Sequence, residues 1–183
     1  MTVRRVLAVV AAIFVTGIVV SGWILLSSGS TVSGVSDAAS TTIAVNDVHV
    51  AVPAGWGREA FVNSSGMSVF RLGSFEFRHA ADDDVGQTAQ GSMGDNDVLI
   101  NIVDVTATDA GEGNSYYRSV ALPLTVDDSE AVQQEGYTAP AAVIRGVRIN
   151  GHNLYLSVAF GSAPPSAAQV AEANAVLRTL AVR

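Results

Sequence analysis

The sequence predicts an α+β protein: an N-terminal transmembrane helix followed by one mainly antiparallel sheet domain, with a C-terminal helix packed on the sheet. Three observations carry this. Residues 6–26 are 21 consecutive residues without a charge. From residue 42 to residue 160, alternating and all-apolar runs are punctuated by tight-turn dipeptides. After Pro164-Pro165 the apolar spacing changes to that of a helix.

The apolar run comes first. At 1.5 Å per residue it makes a helix of ~31 Å, which matches a bilayer core of ~30 Å. A cleaved signal peptide is the rival reading, with Ser27-Ser28-Gly29 as a site for a peptidase. Its apolar region spans only ~7–15 residues, and Trp23 stands where an interfacial aromatic belongs, so length favours an uncleaved anchor. Arg4 and Arg5 both precede the run and the first charge after it is Asp37. The positive-inside rule therefore places the N-terminus in the cytoplasm and the rest outside. Residues 1–5 are a cytoplasmic tail, 6–26 the anchor, and 27–41 a flexible linker of Ser, Gly, Thr, Ala and Val with one Asp. Residues 42–183 are the extracytoplasmic domain.

Ile43 and Val45, a turn at Asn46-Asp47, then Val48, Val50 and Val52 predict a hairpin that ends at Pro53-Ala54-Gly55-Trp56. Gly73-Ser74 predicts a second, with Phe70 opposite Phe77 and Arg71 opposite Glu76. Residues 97–105 are apolar on both faces, with Val98, Ile100 and Ile102 on one and Leu99, Val103 and Val105 on the other. Such a strand is covered on both sides and belongs in the middle of the sheet. Between residues 106 and 140 the pattern dissolves into a long loop, with a short helix over 127–134 stopped at Gly136.

The clearest unit is a hairpin over 143–160. Asn150-Gly151 supplies the two positive φ angles of a type I′ turn. That turn sets Ile149 opposite His152, Val147 opposite Leu154, Arg145 opposite Leu156 and Val143 opposite Val158. Tyr155 falls across from Gly146, where a ring can cover bare backbone. Ser166 then caps a helix, Gln169 completes the capping box, and Val170, Ala173, Leu177 and Leu180 form the buried stripe.

Val52-Pro53-Ala54-Gly55-Trp56 and the closing segment Ala173-Asn174-Ala175-Val176-Leu177-Arg178-Thr179-Leu180 resemble the entry and exit of PsbP-like and LpqN-type α+β domains. The whole chain is similar to actinobacterial membrane-anchored extracytoplasmic proteins of unknown function. The resemblance implies the α+β fold and a binding or assembly role outside the cytoplasm. It carries over no catalytic or ligand-binding residue.

Composition narrows the chemistry. The 183 residues carry a net charge of -7; all ten basic residues are Arg, and two of them precede the apolar run. An acidic domain is no partner for nucleic acid or for anionic headgroups. Cysteine is absent, which excludes disulfides, thiol nucleophiles and Cys-ligated metals. No G-x-S-x-G elbow or phosphate-binding glycine loop occurs, so no catalytic residue and no cofactor is assigned. Asp82-Asp83-Asp84 with His79, and Asp95-Asn96-Asp97, lack the spacing of a calcium loop and read as solvated loops. His49, His79 and His152 fall on separate strands without ligand spacing, so no metal site is assigned.

Two features stand out. Trp56, Tyr116, Tyr117 and Tyr137 are candidates to line a ligand groove. Arg145 shares the apolar face of its hairpin, where its stem packs while its head reaches water at the sheet edge, or pairs with a carboxylate among Asp104, Asp109, Glu112, Asp127 and Asp128. The function expected is a non-catalytic interaction or binding module, tethered to the membrane through the N-terminal helix, with a protein or envelope partner. The alternative is an envelope hydrolase using carboxylates, with Asp104, Asp109 and Glu112 as the candidates. Two carboxylates would then have to converge at ~5–9.5 Å.

Overall fold

Nine strands and two short α-helices make up the computed structural model, which describes residues 40–78, 86–108 and 115–183. All of these belong to one compact unit. The predicted anchor 6–26 and nearly all of the linker lie outside the described residues. Among the described residues no helix is long and apolar enough to cross a membrane.

The first hairpin forms as its alternation dictates. β1 (Thr41–Val45) and β2 (Val48–Val52) pair with Val45 opposite Val48 and Ile43 opposite Val50. Asn46 takes the positive φ of 52° in the turn. The second hairpin is displaced from the predicted position. β3 (Gly57–Val62) and β4 (Ser68–Gly73) meet across the turn at Asn63–Met67, so Phe70 lies opposite Ala60 and Arg71 opposite Glu59. The cause is local: the Asn63 side chain accepts from the Ser65 and Met67 amides at 3.0 Å each, and Gly66 supplies φ 83°. All six residues of β4 are buried, so it needs neighbours on both sides. After Gly73 the chain folds back, and Phe75 and Phe77 settle over the bare backbone of Gly57 and Gly73.

β5 (Val98–Asp104) is central and fully buried, as its two apolar faces require. β7 (Ala141–Ile149) and β8 (His152–Phe160) form the third hairpin in the register that Asn150-Gly151 dictates, with φ of 50° and 87° at the two turn residues. The loop predicted over 106–140 contains a strand that alternation could not reveal. β6 (Tyr117–Ser119) pairs in parallel with Gly146–Arg148. The helix predicted over 127–134 shrinks to one 3-10 turn, Asp128–Glu130, capped by Asp127. α1 (Gln87–Gln90) is a single turn, and α2 (Ala167–Leu177) carries the predicted Ser166–Gln169 capping box.

There are two sheets, not the single sheet expected. One has the order β3-β4-β5-β8-β7-β6. The other is β1-β2-β9, in which β9 (Ala181–Val182) pairs antiparallel with β2. The extra strand arises because α2 stops after Leu177 and the remaining residues return along β2. Leu180 is buried beyond the helix rather than on its stripe. The three-stranded sheet and α2 close the main core over one face of the larger sheet, where Val50, Ile100, Leu156, Val158 and Leu177 meet. The opposite face holds a smaller apolar cluster around Leu99, Ala142 and Ala159. Beside it runs a polar row across four strands, Glu59, Arg71, Asn101 and Ser157.

Candidate functional site

The tyrosines come together and Trp56 does not join them. Trp56 is buried in the main core and hydrogen-bonds to Glu172 of α2, whose carboxyl burial pushes above the ordinary glutamate range. Tyr116 and Tyr117 stack edge to face with centroids 5.1 Å apart. Tyr137 exchanges a hydrogen bond with Tyr155 at 3.0 Å. Burial and that bond drive the Tyr155 hydroxyl far above the ordinary tyrosine range. Tyr155 is the fourth member of the group, and its position opposite Gly146 was legible in the turn register. The ring expected over Gly146 belongs to Tyr116, which leaves no space for a Cβ there. Tyr116 is nonetheless 48% exposed, unusual for a large aromatic ring.

The carboxylate candidates lead elsewhere. Asp104 is held by His152 Nδ1 at 2.7 Å and by the Thr106 amide at 3.0 Å. Ser68 is its cross-strand neighbour but accepts from Asn46 at 2.7 Å. The carboxylate thus lies between serine and imidazole, the wrong order for a nucleophile–base–acid relay. Asp109 and Glu112 lie outside the described residues, as do His79 and Asp82-Asp83-Asp84. Asp97 closes a tight turn by accepting from the Gly94 amide at 2.7 Å, and Gln169 donates to the Asp95 and Asp97 carbonyls at 3.1 Å. That loop is therefore fastened to the start of α2. Among the described residues no group of three His, Asp or Glu could hold a metal ion.

Arg145 keeps to the apolar face of its hairpin, in line with Val143 and Val147, and its head is a third exposed. Its partner is a carboxylate outside the expected set. Nε donates to Glu130 at 2.9 Å, Nη2 forms an ion pair with the same carboxylate, and Nη1 donates to the Thr125 carbonyl at 2.8 Å. The capped turn at Asp127 aims Glu130 at the strand.

Arg145 and Glu130 border a groove of about 560 Å³ along the edge of β7, lined also by Tyr116, Arg118, Val120 and Ile144; Tyr117 and Tyr137 are not among its lining residues. The groove exists because two different partners cover the edge and leave a break between them. On one side Val132 exchanges both backbone hydrogen bonds with Ala142, at 3.1 and 2.8 Å. On the other, β6 begins its pairing at Gly146. Even-numbered residues of β7 turn their N–H and C=O outward, as the Val120 amide bonding Arg148 O at 3.1 Å shows. Ile144 is the outward residue in between, and no described residue hydrogen-bonds to its N–H or C=O. Arg118 enters the same groove from β6 and forms no ion pair with a described residue. Its role had no signal in the sequence, because a three-residue parallel strand carries no readable period.

No family model, curated protein or solved structure matches this chain significantly.

Proposed function

We propose that this chain is a membrane-tethered, extracytoplasmic, non-catalytic binding module that holds a protein or envelope component in the groove along β7. Tethering rests on the length of the 6–26 run and on the placement of Arg4 and Arg5 before it. The resemblance to PsbP-like and LpqN-type domains points the same way. The single observation that carries the binding reading is the break in the β7 edge at Ile144, beside the exposed Tyr116 and Arg118, which forms no ion pair with a described residue. A sheet edge with open backbone groups is a template for another chain, and aromatic and arginine side chains anchor such contacts. Of the three carboxylates in the enzyme alternative, Asp104 has its oxygens bonded by His152 and Thr106, and Asp109 and Glu112 lie outside the described residues.

The test is photo-crosslinking in intact cells. A benzophenone amino acid replaces Tyr116 in the full chain, and a control chain carries it at Thr42 on β1, outside the groove. A discrete adduct from position 116 that is absent from position 42 is expected. No adduct, or the same adducts from both positions, would overturn the binding role of the groove.

A further inference from the structure

We infer that the groove takes the free C-terminal carboxylate of a peptide, as the occupant of the binding site proposed above. The break in the edge admits one residue. Ala142 is occupied by Val132 and Gly146 by β6, and these positions are four residues apart, or ~13 Å of strand. A continuous strand cannot lie there, because its flanking residues would meet Val132 or Tyr116. A chain end can, since it needs to pair with Ile144 alone and then leaves the edge.

The hydrogen-bonding pattern identifies which end. Ile144 offers one N–H and one C=O to the same side, the arrangement that Ala142 uses with Val132. A peptide running parallel to β7, as β6 does, answers it by donating the N–H of its last residue to the Ile144 carbonyl and accepting the Ile144 N–H on the carbonyl two residues earlier, so that its carboxylate points toward Gly146 and β6. The carboxylate then faces Arg118, whose guanidinium is not committed to a described carboxylate. Charge decides against the opposite terminus: an ammonium group would meet Arg118 and Arg145, and the Glu130 carboxylate is already held by Arg145. Val120 and Val147 give the terminal side chain an apolar wall.

The experiment uses the full chain in detergent micelles, labelled with nitrogen-15, and follows the Ile144 amide by NMR. The ligands are an equimolar pool of N-acetyl-glycyl amino acids with free carboxylates, and the same pool as carboxamides. The acid pool is expected to move the Ile144 amide proton downfield in a saturable way at millimolar concentration. The carboxamide pool, and the acid pool on Arg118→Gln, are expected to bind at least about tenfold more weakly, as for loss of a charge-assisted hydrogen bond. Arg118 is exposed, so the remaining spectrum of Arg118→Gln should overlay that of the parent. Equal response to both pools, an unchanged affinity in Arg118→Gln, or a stationary Ile144 signal would each overturn the inference. A crosslink from position 116 without any response to the acid pool would leave the binding module standing and remove only this ligand.

Discussion

Arg71 is 1% exposed, and its cost is met by neighbours in one row of the larger sheet. It forms an ion pair with Glu59 and donates Nε to Asn101 at 3.1 Å, while Asn101 reaches Ser157 at 3.4 Å. A buried pair of this kind is costly to break from one side, because the remaining charge is stranded. Arg71→Ala is therefore expected to lower stability by about 3–5 kcal/mol in denaturant unfolding, and the double substitution Arg71→Leu with Glu59→Leu by less than that. Glu172 raises the opposite issue. Its pKa stands above the ordinary value, first because it is buried and second because Asp97 is near, against the opposing Trp56 hydrogen bond. The folded state thus prefers the protonated form. That stability is fully present below the ordinary glutamate pKa and is lost as pH rises through the elevated one. Glu172→Gln should accordingly flatten the fall in stability that sets in as pH rises above the ordinary glutamate pKa, measured by urea midpoints across a pH series. An unchanged pH profile would show that Glu172 is not penalised by the fold.

At the scale of elements, the edge of β7 makes the most specific claim. Val143 and Arg145 turn their N–H groups toward β8, whereas Ile144 turns outward between Val132 and β6. Hydrogen exchange follows the opening of hydrogen bonds, so an amide without one exchanges from the closed state. The Ile144 amide is expected to exchange at least about tenfold faster than those of Val143 and Arg145, although all three lie in mid-strand. Exchange as slow as its neighbours would mean that the edge is closed there.

For the whole molecule, the arrangement of two faces explains where a ligand can be held. One face of the larger sheet is sealed by α2 and the three-stranded sheet. The other carries the polar row and the tyrosines, and ends at the incompletely paired β7 edge. The membrane assignment is tested at this scale by intact mass of the protein isolated from its native membrane. A mass that retains residues 6–26 is expected, and one matching a chain that begins near Gly29 or Ser30 would end the anchor reading.

The sequence by itself determined the elements whose signals are local. Asn150-Gly151 set nine cross-strand pairs of the last hairpin, because a two-residue turn leaves one register. The two apolar faces of residues 98–104 made β5 central. Ser166 and Gln169 opened α2, since capping is decided within one turn. Tertiary structure decided what depends on distant partners. The turn at Asn63–Met67 is held locally by Asn63 and Gly66, but that β4 then pairs with distant β5 rather than with the segment after Gly73-Ser74 is a tertiary choice. The parallel β6, the return of β9 along β2 and the choice of Glu130 for Arg145 join segments up to 134 residues apart. The candidate site belongs to this second class. Tyr116, Tyr117 and Tyr137 were visible as residues, but the break at Ile144 beside Arg118 exists only because two unrelated segments stop short of each other on one strand edge. Local pattern reports which backbone groups point outward; whether another segment arrives to pair with them is a property of the assembled chain.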